Sequence, residues 1–282
     1  MKIALASGKG GTGKTTIATN LARILSDRGE AVSYLDCDVE EPNGHLFLHP
    51  QIRKREAANI KVPVIAENRC TACGACVRFC AYNALVRLGK LVMVFPELCH
   101  GCGGCTRLCP ESAISEGERE IGFVETGDAG GVRFVQGTLN VGEAMSPPLI
   151  RKVLEHTTSG GLNIIDAPPG TACPVVTSLR SVDYAVLVTE PTPFGVNDLR
   201  LALDMAQELR IPHGVVINRD EESFGDVTDL CDSRSVPIVG RIPDDRRAAE
   251  SYSRGEMIVD SVPGLSKVFT DIWWNIHMRA EQ

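Results

Sequence analysis

Residues 7–16 read Ser-Gly-Lys-Gly-Gly-Thr-Gly-Lys-Thr-Thr, behind a short apolar run at 3–6 and ahead of a helix-like segment at 15–28. Glycines here let successive backbone N–H groups turn inward around phosphate oxygens, an approach that side chains would block. Lys14 brings a positive charge to the β- and γ-phosphates, and Thr15 brings a hydroxyl to a magnesium ion. The pattern from Gly8 to Thr15 is that of a phosphate-binding loop, in the strand-to-helix context the pattern requires. The expected ligand is ATP with Mg2+, held by Gly8, Lys9, Gly10, Gly11, Thr12, Gly13, Lys14, Thr15 and Thr16.

Further apolar runs lie at 32–35, 162–165, 185–188, 215–217 and 238–242, separated mostly by helix-like segments such as 147–156, 196–209 and 245–254. Strands that alternate with helices imply an α/β fold whose mostly parallel sheet is covered on both faces. Residues 121–135 differ: two short β-rich runs flank Gly-Asp-Ala-Gly-Gly, the signature of a hairpin. In the last segment, Leu265, Val268, Phe269, Ile272, Trp273 and Ile276 share one helical face, which predicts a final helix packed on the sheet. Its few basic residues, Lys267 and Arg279, do not make the polar face of a membrane-surface helix.

Lys9, a second lysine at the head of the loop, marks a deviant form of the motif, and with it the sequence resembles the family of MinD, ParA, Mrp and the nitrogenase iron protein. Leu35-Asp36-Cys37-Asp38 looks like that family's first switch, and Ile164-Ile165-Asp166-Ala167-Pro168-Pro169-Gly170 like its second. Val216-Ile217-Asn218-Arg219 resembles the segment that reads the adenine edge, and Ile242-Pro243-Asp244-Asp245 its companion loop. The resemblance implies that Lys9 reaches a partner's nucleotide across a dimer interface, that Asp38 orients the attacking water, and that Asp166 holds Mg2+ through a water. Lys9, Lys14 and Asp38 would then be catalytic. Thr15, Asp38 and Asp166 would surround the metal, and Asn218, Arg219, Pro243 and Asp245 would complete the nucleotide site. Asp36 alternatively reads as a buried carboxylate capping the loop.

Eight of the 11 cysteines lie between 62 and 117. Cys70, Cys73, Cys76 and Cys80 form C-x2-C-x2-C-x3-C, and Cys99, Cys102, Cys105 and Cys109 repeat it 29 residues later. Zinc sites usually pair C-x2-C knuckles across a longer spacer; three cysteines in a row at this spacing suit a [4Fe–4S] cluster. The pattern resembles bacterial two-cluster ferredoxins. That resemblance implies one cluster on Cys70, Cys73, Cys76 and Cys109, and a second on Cys80, Cys99, Cys102 and Cys105. Pro110 follows the second run as in those proteins, whereas Ala81 follows the first, which puts the local turn there in question. Cys37, Cys173 and Cys231 have no ligand spacing and read as buried structural cysteines. His100 reads as a solvent-facing neighbour of the second cluster loop.

The expected organisation is an ATPase domain in two parts, 1–58 and 118–282, with the ferredoxin-like domain inserted at 62–117. A net charge of −7 argues against a nucleic-acid partner. No apolar run reaches the roughly 20 residues of a membrane span, and residues 1–7 do not read as a secretory signal, so a cytoplasmic location is expected. The leading expectation is an ATPase that couples nucleotide-driven dimerisation to electron transfer or partner docking. Its partners would be a second copy or a related ATPase, and a redox or iron–sulfur protein. A cluster carrier of the Mrp kind and a positioning ATPase with a redox sensor are the alternatives.

Overall fold

The computed structural model describes residues 1–220 and 225–280. Its strands are β1 (Lys2–Ala6), β2 (Val32–Asp36), β3 (Gln51–Ile65), β4 (Leu85–Leu88), β5 (Leu91–Val94), β6 (Ile114–Ala129), β7 (Val132–Leu139), β8 (Leu162–Asp166), β9 (Tyr184–Thr189), β10 (His213–Asp220) and β11 (Ile238–Pro243). Nine of them make one sheet in the order β11-β10-β9-β1-β8-β2-β7-β6-β3. From β11 to β7 all neighbours are parallel; β6 and β3 then add antiparallel.

Side chains alternate across the central strands and feed two cores. Ile3, Leu5, Tyr34, Ile164 and Val186 face one core, shared with helices Lys14–Asp27 and Leu265–Ala280. Ala4, Ala6, Leu35, Ile165 and Leu187 face the other, against helices Pro147–Leu154, Cys173–Leu179 and Pro193–Glu208. The final helix buries Leu265, Phe269, Ile272, Trp273 and Ile276 and leaves Trp274 exposed. It packs closely because β11 carries Gly240, where a Cβ would stand 2.2 Å from Ile272. No helix among the described residues is long and apolar enough to cross a membrane.

The hairpin expected at 121–135 forms, with Gly130 and Gly131 both at positive φ in its turn, the conformation that a two-residue primed turn requires. Its first arm is far longer than expected. β6 pairs with β3 from Gln51↔Asp128 out to Ile65↔Ile114, while its pairing with β7 ends at Gly122. The outer half of the ribbon therefore leaves the sheet two strands wide. The limits expected at 58–62 and 117–118 fall inside these continuous strands, so the chain enters and leaves the cysteine-rich part along a paired stalk and not through linkers.

Residues 66–113 cap the stalk. They contain two short helices, Ala75–Phe79 and Gly104–Leu108, and the β4–β5 hairpin. The 29-residue repeat is written into the backbone: Ala72 and Gly101, Gly74 and Gly103, and Asn83 and Ser112 are three pairs at positive φ. The β4–β5 pair Leu85↔Val94 maps by the same shift onto the stalk-tip pair Ile114↔Ile65. The end of the stalk is thus one of the small domain's own two strand pairs. The turn after Cys80 matches the turn after Cys109, with ψ of 105° and 113° at the two cysteines, so the turn forms without a proline at Ala81.

Candidate functional site

The phosphate loop lies between β1 and helix Lys14–Asp27, at the C-terminal edge of the parallel strands, where α/β sheets bind ligands. Two glycines are required sterically. A Cβ on Gly8 would stand 2.2 Å from the Asp198 carbonyl oxygen. Gly13 sits at φ +90°, with its Cβ position 2.3 Å from the Asn218 side-chain nitrogen. That amide donates to the Thr12 carbonyl at 2.9 Å, tying β10 to the loop. Gly170 N–H donates to Ser7 O at 2.9 Å, tying the segment after β8 to it as well.

One cleft collects Gly10, Gly11, Gly13, Lys14, Thr15, Thr16, Asp38, Asn218, Arg219, Pro243 and Asp245. These are most of the expected nucleotide-site residues. Gly8, Lys9, Thr12 and Asp166 lie off its wall. Pro169 of the second switch-like segment also lines it, as do Glu41, Asn43, Ala248, Ala249, Tyr252 and Ile258, which the sequence did not point to. Ala248, Ala249 and Tyr252 are one face of helix Arg246–Ser253, so their i, i+1, i+4 spacing was the available signal. Two expected residues carry structural duties too. Arg219 forms a 2.7 Å ion pair with Glu190, and Asp245 caps its helix by accepting from Arg247 N–H at 2.8 Å.

Asp38 and Asp166 lie beside Lys14, and Asp36 lies beside Asp166. Asp36 is fully buried and accepts from the backbone N–H groups of Asp38 at 3.1 Å and Gly44 at 2.9 Å, the capping role. Asp166 is fully buried; its Oδ2 accepts from Tyr34 Oη at 3.0 Å, and its Oδ1 has no hydrogen-bond partner. The Thr15 hydroxyl and the Lys14 ammonium lie beside it. A buried carboxylate oxygen left unpaired costs free energy unless something positive or a donor meets it. A buried carboxylate oxygen of this kind beside a threonine hydroxyl suits a hydrated Mg2+, so the residues fit the metal the motif implies.

Burial, first, and the neighbouring carboxylate of Asp166 push Asp36 well up; burial also raises Asp166, against the lowering effect of Lys14. Asp38 is pushed up to about 6 by burial, with Lys14 opposing and Asp166, Glu40 and Glu41 adding. Its folded value lies above the unfolded one, near 3.9, so its contribution to stability is complete below about pH 4 and is lost as pH rises through about 6. Asp38→Asn should therefore stabilise the nucleotide-free protein at pH 8 by about 2 kcal/mol, and by less at pH 5.5. Denaturant titrations at the two pH values check this; an equal gain at both would contradict it.

The eight cysteines fall into two cavities. One is lined by Cys70, Cys73, Cys76 and Cys109, together with Ile65 and Ile114 at the stalk tip. The other is lined by Cys80, Cys99, Cys102 and Cys105, with Lys61, Val62 and Pro63 of the stalk shaft. Each cavity thus joins three cysteines of one run to the fourth of the other. The first is distal and the second proximal to the sheet. Exposure also repeats by pairs: Cys73 and Cys102 are exposed, Cys76 and Cys105 buried, and the remaining four intermediate. Each set receives one backbone N–H···S bond, Ala113 to Cys109 Sγ at 3.3 Å and Gly101 to Cys99 Sγ at 3.4 Å. No group of three or more His, Cys, Asp or Glu side chains among the described residues is arranged to hold a single metal ion. A cubane is gripped at four separate iron corners, which spreads its thiolates further than ligands of one ion. His100 is exposed and stacks on Tyr82, ring centroids 3.4 Å apart. Cys37 and Cys231 are buried as expected; Cys173 is exposed, contrary to expectation, because the helix it begins turns its N-terminus to solvent.

Fold and nucleotide cleft together define a P-loop nucleotide-binding protein of the α/β class. The chain belongs to the CobQ/CobB/MinD/ParA nucleotide binding domain family, whose model matches residues 3–258. An uncharacterised protein of Methanocaldococcus jannaschii is 34% identical over 221 residues, 78% of either chain. The iron–sulfur cluster carrier protein of Pyrococcus abyssi is 25% identical over 281 residues, 92% of this chain and 79% of its own. Among solved structures, the septum site-determining protein MinD of Pyrococcus horikoshii with Mg-ADP covers 96% of this chain and 93% of its own, with a TM-score of 0.60 at 18% identity, a likeness of fold.

Proposed function

We propose that the chain hydrolyses ATP with Mg2+ and uses the change of nucleotide state to control two [4Fe–4S] clusters held at the end of its stalk. The observation that carries this is the sorting of eight cysteines into two four-thiol cavities in a chain that also holds a phosphate-loop cleft. Lys14, Thr15, Asp38 and Asp166 would surround the γ-phosphate and Mg2+, Asp38 placing the water. Phosphoryl transfer needs mainly such positioning and charge neutralisation. Lys9 would act across a dimer of this chain or with a related ATPase. A [4Fe–4S] cluster takes up or releases one electron when bound; the cysteines' work is to hold it, and the stalk's to present it.

A continuous physical route supports the coupling. Val39, next to Asp38, accepts a 2.8 Å hydrogen bond from Leu139 N–H at the end of β7. β7 carries β6, and β6 carries Arg119, which is ion-paired with Glu143 and lies within electrostatic reach of Cys99. Segments that reorder around a γ-phosphate could in this way reach the proximal cavity.

The named relatives favour a second reading, that the clusters are cargo, since several are iron–sulfur cluster carrier proteins at 24–27% identity over most of this chain. Anaerobic purification tests both. About eight irons per chain are expected. A shift beyond about 30 mV in reduction potential on adding ATP–Mg2+ supports gated electron transfer (about 0.7 kcal/mol for one electron), and rapid cluster loss to an apo-acceptor supports carriage. Eight irons that neither shift nor leave would defeat both readings of the coupling.

A further inference from the structure

The two halves of the small domain match in backbone and cysteine exposure, but not in charge. Gly74 and Gly103 are counterparts under the 29-residue shift. The Cβ position of Gly74 has the Arg78 guanidinium nitrogen at 3.2 Å and that of Arg87 at 3.8 Å. The Cβ position of Gly103 has instead the Glu116 Oε1 at 2.9 Å. Glu116 is the counterpart of Arg87, so a guanidinium in one half is replaced by a carboxylate in the other.

The arginines are held in place. Arg87 Nη1 donates to Ala72 O and Arg78 Nη1 to Cys73 O, each at 3.1 Å, and Arg69 Nη2 donates to Glu111 O at 3.2 Å. All three lie around the distal loop, outnumbering the one acidic residue on the distal cavity's wall, Glu111, which stands at the counterpart of Tyr82. Arg107, the counterpart of Arg78, is exposed as Arg78 is, and Leu98 stands at the counterpart of Arg69. Other cations near the proximal side have their own carboxylates: Arg119 has Glu143, and Lys61 has Glu118. Phe79, Tyr82 and His100 add ring surface to the proximal cavity.

Reduction adds a negative charge to an already anionic cluster-and-thiolate unit, so nearby positive charge favours it, while carboxylate and apolar surroundings oppose it. We propose that Arg78 and Arg87 make the distal site, Cys70, Cys73, Cys76 and Cys109, the seat of the first electron. Glu116 keeps the proximal site, Cys80, Cys99, Cys102 and Cys105, the harder to reduce. One electron placed on the proximal site by a low-potential one-electron donor then passes outward, the proximal cluster being oxidised by one electron as the distal one is reduced. The stalk thereby has a direction, from the nucleotide domain to the tip. This rests on the reading that both cavities hold [4Fe–4S] clusters.

The test is an anaerobic potentiometric titration with dithionite as reductant, followed by electron paramagnetic resonance. Wild type, Arg87→Gln, Arg87→Glu, Glu116→Arg and the double exchange are compared. Two separate one-electron waves are expected. Arg87→Glu lowers the upper wave by a factor of at least ten in equilibrium constant, about 59 mV, and leaves the lower wave in place; Arg87→Gln moves it the same way by less. Glu116→Arg raises the lower wave, and the double exchange closes or inverts the gap. Coincident waves in the wild type, or an Arg87 variant that moves the lower wave, would overturn the assignment. If Arg87→Glu loses iron, Arg87→Gln and Glu116→Arg decide. Fewer than about eight irons in the wild type would instead defeat the two-cluster reading itself, and the assignment with it.

Discussion

Lys14→Ala is expected to lower ATP hydrolysis by about 1000-fold or more, the scale set by removing a preorganised charge from a phosphoryl- or acyl-transfer site. Lys14 is only 6% exposed and lies among Asp38 and Asp166, whose carboxyls it draws downward. On the proposed mechanism its ammonium has two tasks, to meet the phosphates and, without nucleotide, to offset the carboxylates. Without it, burial and mutual repulsion act on those carboxyls unopposed, and their folded values rise further. Because a raised carboxyl value destabilises the native state as pH increases, the nucleotide-free variant should lose stability against wild type at pH 8 and recover part of it toward pH 6. Iron content should not change, since the cysteine cavities lie on the stalk. Steady-state phosphate release, denaturant midpoints at the two pH values and an iron assay check the three parts. Hydrolysis within tenfold of wild type would mean that Lys14 does not meet the phosphates.

The phosphate loop was legible in the sequence because its constraint is local. Gly13 must adopt positive φ and leave room for Asn218, and only glycine does both. The parallel strands were legible for a related reason: burial on both faces writes them as unbroken apolar runs. The cysteine runs announced themselves by spacing, and their crossing over followed from resemblance alone. The stalk was not legible. Its edge strand begins Gln-Ile-Arg-Lys-Arg-Glu, and buried positions appear regularly only from Ala58 on. What holds the ribbon is partners distant in sequence: Lys61 with Glu118 in its outer half, and, where it still joins the sheet, Arg55 with Glu125 and stacked over Phe123 at 3.3 Å. Cross-strand pairs of this kind stabilise a ribbon but leave no periodic apolar mark. Basic residues along an edge also discourage pairing with other chains. The missed part of the nucleotide cleft has a similar cause. Tyr252 is half exposed and tilts against Phe47, so a helix over 200 residues from the loop reaches the site by tertiary packing.

Cys109→Ala should halve the iron, to about four atoms per chain, and the site it empties should be the distal one, although Cys109 ends the second cysteine run. The cavity geometry sets Cys109 with Cys70, Cys73 and Cys76, and Cys80 with Cys99, Cys102 and Cys105. Pairs of substitutions reveal the grouping without assigning any spectrum. Cys109→Ala combined with Cys73→Ala removes two ligands from one site and should still leave about four irons. Cys109→Ala combined with Cys102→Ala removes one from each and should leave close to none. If each run instead served its own cluster, the two outcomes would exchange. The small domain's apolar packing is shared between halves, with Leu85, Val92 and Ile114 buried among Cys76 and Cys105. An emptied site should therefore loosen its neighbour, and a moderate shortfall below four irons fits. Four irons retained in the Cys109–Cys102 pair would not, because the Cys109 thiol would then have to reach into the proximal cavity, which the Cys80 thiol already lines.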